Sequence, residues 1–167
     1  VFLMIFACLR GRLNVIWRHL RHISIMGVFA AGLPFLCFNI AAQTVPASVM
    51  AVINAITPLF GALIARIWLK EQLTRWRLVG LMIGFTGIVV LVWNDLSFDA
   101  GGMGTGILIC LTASLSYGYA ASYTTRFLKG VDPLALAAGS VTAAALVLLP
   151  LAIYTWPTTP VSATAWG

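Results

Sequence analysis

The residues of this chain that could do chemistry are few, and they sit inside apolar runs. In INAITPLFG, Asn54 and Thr57 lie one helical turn apart with Pro58 alongside. Met50, Asn54, Thr57, Gly61 and Ala65 fall at helical spacing and make one small, polar face. Pro58 has no N–H, so the carbonyl of Asn54 loses its helical partner. Two readings stand. A kinked helix lining a substrate cavity is one, because transporter sites lie near the bilayer midplane on broken helices. A close helix–helix contact is the other, because small residues let backbones approach.

The preceding apolar run repeats the pattern. Pro34 frees the carbonyl of Ala30, and Asn39 and Gln43 follow on one face. An asparagine in lipid needs a partner, either in a cavity or on another helix. Further on, Thr112, Ser116, Tyr119 and Tyr123 share a face, with Tyr117 nearby. Aromatic and hydroxyl groups suit recognition of small polar metabolites. They also serve ordinary ends: serine and threonine bond their own backbone, and tyrosines anchor at interfaces. Tyr123, close to a basic segment, reads as such an anchor.

No Asp, Glu, Lys or His falls in the middle of an apolar run, so a proton relay or fixed ion site has no carrier. His19 and His22 lie in a basic segment and read as solvated. No HExxH, phosphate-binding glycine loop or Ser/His/Asp set is present, which disfavours an enzyme; no cofactor is expected. Cys8, Cys37 and Cys110 are scattered through apolar segments, a pattern of small buried residues and not of a disulfide framework or metal site.

The elements that must position these groups follow from composition. Of the 167 residues, 61% are hydrophobic and 8% charged, against about 25% charged in soluble domains. Mean hydropathy is +1.01. Five apolar stretches, near 23–43, 47–69, 78–94, 104–125 and 134–155, each approach the ~20 residues of a spanning helix. A shorter one, VFLMIFAC, opens the chain and reads as the end of a truncated span. Period-2 alternation is absent, and lipid offers no partner to an open sheet edge. The expectation is an all-α polytopic transmembrane bundle of about five complete spans plus the truncated one.

All ten basic residues occupy alternate connections. Arg10, Arg12, Arg18 and Arg21 follow the first run; Arg66, Lys70, Arg75 and Arg77 follow the third; Arg126 and Lys129 follow the fifth. The other connections carry TVP, then Asp95 and Asp99, then an uncharged tail. The positive-inside rule places the basic connections in the cytoplasm. The net charge of +6 is therefore topogenic and does not indicate nucleic acid. Trp17, Trp68, Trp76, Trp93 and Trp156 fall near span ends, as aromatic belts do. Gly80, Gly84 and Gly87 form a GxxxG-type face expected to pack against another helix.

The order AAQTVPASVMAVINAITPLFGALIARIWLKEQLTRWRLVGLMIGFTGIVVLV resembles the EamA-like branch of the drug/metabolite transporter superfamily. Ala42, Pro46, Ala47, Ser48, Pro58, Glu71, Leu73, Gly80, Gly84 and Gly87 match positions expected of that family. SYGYAASYTTRFLKGVDPLAL, with Asp132 and Pro133, resembles the start of its second repeat. The resemblance implies a ten-helix protein of two inverted five-helix repeats. Residues 1–94 would be the C-terminal part of the first repeat and 104–167 the N-terminal part of the second, with the remaining helices supplied by a longer chain. Tyr117 departs from the tryptophan often found there.

The reading that results is a secondary transporter, an exporter of a small-molecule metabolite, in the lipid bilayer of a bacterial inner membrane, working by alternating access. Asn39, Asn54, Thr57 and Tyr117 are the expected substrate-binding residues, and Pro34 and Pro58 the bending points. The missing helices are expected partners, a homodimer is a further option, and nucleic acid is not a partner. The alternative is a non-transporting membrane scaffold or assembly subunit.

Overall fold

The computed structural model describes residues 2–72, 74–93 and 103–155. Leu73, the Asp95/Asp99 connection, Trp156 and the uncharged tail lie outside the described residues. Within them the chain is all-helical. A short α1 (Phe2–Leu9) leads through α2 (Leu13–Arg18) into a first long rod, made of α3 (Leu20–Gly27), a π-helical turn (Val28–Gly32) and α4 (Leu33–Ala41). The second rod is α5 (Ala47–Asn54) and α6 (Thr57–Trp68). Then come α7 (Arg75–Val92), α8 (Gly104–Phe127) and α9 (Pro133–Tyr154). Leu20–Ala41, Ala47–Trp68 and Pro133–Tyr154 are each long and apolar enough to cross a membrane. Many large side chains face outward, among them Ile67 (71% exposed), Ile83 (67%) and Ile153 (66%). Water would penalise such a surface, whereas hydrocarbon does not.

Helix α8 is the centre of the bundle. It packs chiefly on α4 and α6, and also on α5, the π turn and α3. Its small residues explain this position: Gly106, Cys110, Ala113, Ser114, Gly118 and Ala120 are all buried, and small side chains admit close backbone approach. A Cβ on Gly118 would stand 2.7 Å from the Gly61 nitrogen and 2.9 Å from the Phe60 carbonyl carbon. At the other end, a Cβ on Gly106 would collide with Val45. Helix α9 packs on α3 and the π turn, where a Cβ on Gly27 would collide with the Ser140 backbone.

The glycines expected to pack are different ones. Gly80 and Gly87 have open space where a Cβ would go, and Gly84 meets only Leu59, at 3.5 Å. Helix α7 touches α5 and α6 sparsely. A GxxxG spacing makes a flat face available; it does not supply a neighbour to fill it.

The basic segments meet at one end of the bundle. Arg12 Nη2 lies 3.4 Å from Asp132 Oδ2, which joins the first basic segment to the third. Arg126 donates to the Trp68 carbonyl at 3.3 Å, which joins the third to the second. Asp132 also caps α9, its Oδ1 accepting from the Leu134 and Ala135 amides at 3.1 Å each. Pro133 then occupies the first turn, where its missing N–H costs nothing.

Candidate functional site

Both central rods are interrupted next to a proline, and α8 lies against both interruptions. In the first rod the Leu33 amide reaches back five residues to the Val28 carbonyl. That takes it away from Phe29, its partner in an α-helical register. One register further, Phe29 would need an amide from Pro34, which has none. The Phe29 carbonyl is thus left over, and the Ser116 hydroxyl of α8 donates to it at 2.7 Å. The sequence pointed to the Ala30 carbonyl, four residues before Pro34; the π turn adds that of Phe29, whose α-helical donor, Leu33, bonds to Val28 instead.

In the second rod the helix breaks at 55–56, directly before Pro58. The Ile56 amide turns back to the Ile53 carbonyl at 3.1 Å. The buried Ser114 hydroxyl donates to the same carbonyl, also at 3.1 Å. Ser114 and Ser116 are two residues apart, so they leave α8 on nearly opposite sides. One serves each broken rod.

Beside the Ser116 contact lies a cleft of about 310 Å³, walled by Phe29 and Leu33 from the first rod, Ile64 from the second, and Thr112, Leu115, Ser116 and Tyr119 from α8. No charged side chain lines it. Its serine and threonine hydroxyls are turned to backbone, Ser116 as above and Thr112 to the Leu108 carbonyl at 2.9 Å. What it offers a ligand is aromatic and aliphatic surface.

The basic end of the cleft is filled by rings. Tyr119 stacks on Trp68 at 5.3 Å with planes 10° apart, and meets Phe29 at 4.8 Å. Trp68, Tyr123 and Phe127 continue the cluster, and the Arg126 guanidinium lies 5.1 Å from the Trp68 ring. His22 stacks on Phe127 at 5.1 Å and shares a 2.8 Å hydrogen bond with the Tyr123 hydroxyl. Two expectations change here. His22 belongs to α3 and is half-buried, not a solvated loop residue. Tyr123 is 6% exposed and bonded inward, not an interfacial anchor. Both follow from a helix that begins three residues earlier than the apolar run, at Leu20.

The four residues expected to bind substrate are not gathered in this cleft. Thr57 donates to the Asn54 side-chain oxygen at 3.3 Å, at the break in the second rod. Asn39 donates to the Phe35 carbonyl at 3.0 Å and, with Gln43, lines a separate groove of about 510 Å³ against the end of α9. Tyr117 is half-buried on α8, and Tyr119 is the tyrosine that reaches the cleft. Phe29, Trp68 and Ser114 were not singled out for the site. Trp68 carried only a belt signal, and nothing in the sequence pairs a serine with a carbonyl 61 positions away. A further groove, of about 520 Å³ between α1 and α9, is walled mainly by aliphatic side chains; its Thr142 hydroxyl is bonded to Ala138.

The model of the EamA-like transporter family matches residues 1–93. The chain belongs to that family. An uncharacterized transporter of Archaeoglobus fulgidus is 25% identical to this EamA-like chain over 137 residues, 80% of the chain and 47% of that protein. The uncharacterized transporter YdfC of Bacillus subtilis is 26% identical over 111 residues, 64% of the chain and 34% of YdfC. The chain thus spans less than half the length of the two relatives it matches. No solved structure is significantly similar to it. Family and helices together make this a multi-pass membrane protein.

Proposed function

We propose that this chain forms part of a secondary transporter that exports small metabolites across a bacterial inner membrane by alternating access, with no enzymatic step. The observation that carries this reading is the 310 Å³ cleft between two proline-interrupted rods and α8. Irregular backbone at membrane depth is tolerated where protein or a cavity supports it, and transporter sites are built there. The basic end faces the cytoplasm, and residues 1–94 and 104–167 belong to two repeats of a longer helical unit.

In this reading Asn54 and Thr57 contact substrate at the second break, Asn39 contacts it from the neighbouring groove, and Tyr117 from α8. Pro34 and Pro58 mark where the rods bend. Transport of a metabolite panel by the encoded protein in proteoliposomes tests this. Asn54→Leu and Thr57→Val should lower flux of the true substrate at least tenfold. Undiminished flux would remove these residues from the site, and no flux of any compound by the folded protein would favour a scaffold.

A further inference from the structure

The two serine bonds have a feature that distinguishes them from ordinary packing. Each ends on a backbone carbonyl at a break in another helix, Ser116 on Phe29 and Ser114 on Ile53. Both hydroxyls are buried, Ser114 completely. In a lipid-surrounded interior an unpaired carbonyl has no water to turn to. The Phe29 carbonyl is therefore satisfied only while α8 stays where it is; the Ile53 carbonyl also takes the Ile56 amide, and there it is the buried Ser114 hydroxyl that would lose its partner. Just beyond, Gly118 brings α8 against the Gly61 backbone, and the rings of Trp68, Tyr119 and Phe29 close the cleft toward the basic end. Opening the cleft at that end requires the rods to move relative to α8, which must lengthen or break these bonds.

We propose that Ser114 and Ser116 are positioning residues that latch the two interrupted rods in the conformation closed at the basic end, and that both bonds are given up when the cleft opens there. This rests on the alternating-access reading. Hydroxyl bonds between membrane helices bias such an equilibrium by about threefold each, and by about tenfold together where they act independently.

The test reads accessibility and needs no substrate. Leu115, on the cleft wall and 44% exposed, is replaced by cysteine in the encoded protein, with Cys8, the exposed native cysteine, changed to serine. A membrane-impermeant maleimide is applied from each side of sealed proteoliposomes, and the protein without the Leu115 replacement is the control for Cys37 and Cys110. Ser114→Ala and Ser116→Ala should each raise the ratio of basic-side to opposite-side labelling about threefold, and the double variant about tenfold. Ser116→Thr, which keeps a hydroxyl, should restore the parent ratio. Ratios unchanged within error in folded alanine variants would overturn the proposal. So would loss of monodisperse protein in either single variant, because a bond the fold cannot lose cannot be exchanged during a cycle. A protein that shows the serine-dependent shift but moves no metabolite would retain the latch and lose the transport reading.

Discussion

The contact between α8 and α6 allows a prediction whose sign can be worked out from geometry. Gly118→Ala places a methyl 2.7 Å from the Gly61 nitrogen, 2.9 Å from the Phe60 carbonyl carbon and 3.0 Å from the Phe60 Cβ. The first two are backbone atoms, so no rotamer change relieves them. Heavy atoms settle near 3.5–4.0 Å, so the helices must separate by roughly 0.8 Å or more. That separation also stretches the Ser114 bond to Ile53, already 3.1 Å. Overpacking of this kind costs about 1–3 kcal/mol, while alanine returns up to about 1 kcal/mol of helix propensity. The net expectation is a loss of about 1–2 kcal/mol, a five- to thirtyfold change in the folded ratio.

The facing glycine supplies the control. A Cβ on Gly61 meets only the Gly118 Cα, at 3.8 Å, an ordinary contact. Gly61→Ala should therefore be neutral or stabilising by up to about 1 kcal/mol. Reversible unfolding in mixed detergent micelles, followed by circular dichroism, measures both. Equal losses at the two positions, or a Gly118→Ala protein as stable as the parent, would refute the packing described for α8.

Other expectations follow from single contacts. Asp132→Ala should lower stability by about 1 kcal/mol through loss of the α9 cap, whereas Asp132→Asn should lose only a few tenths, because the Arg12 pair is half-exposed and weak; the same unfolding assay separates them. Lys70 adopts φ +55° after the end of α6, so Lys70→Gly should raise stability by about 1 kcal/mol, seen as a higher unfolding midpoint. Tyr123→Phe deletes the hydroxyl that meets His22 but keeps the tilted ring contact with Phe127; it should cost about 1 kcal/mol and make the His22 ring more accessible to diethyl pyrocarbonate.

The resemblance to EamA-like transporters and the all-helical architecture were both legible in the linear order of residues. Alternation of the ten basic residues anticipated that three segments share one end, and contacts such as Arg12–Asp132 and Arg126–Trp68 bring them together there. Prolines marked both interruptions of the rods. The site was less legible. Asn39, Asn54, Thr57 and Tyr117 stand out because amides and tyrosines are conspicuous among aliphatic residues, yet the structure spreads them over separate places. The cleft is made instead from Phe29 and Ile64, residue types that any apolar helix contains, together with Thr112, Ser116 and Tyr119 of the α8 face that the sequence marked as suited to a metabolite.

The sequence alone determined the solvent, the element type and which basic segments share one end, because these depend on summed hydropathy and on where charge falls along the chain. Both are additive properties that need no knowledge of neighbours. Only tertiary structure decided which glycines pack, that the Phe29 carbonyl is left over beside Pro34, and which serine answers it. Those outcomes depend on register: a one-residue π insertion frees the Phe29 carbonyl, which proline spacing by itself does not pick out. Helical spacing fixes which residues share a face; it does not fix which helix comes to meet that face.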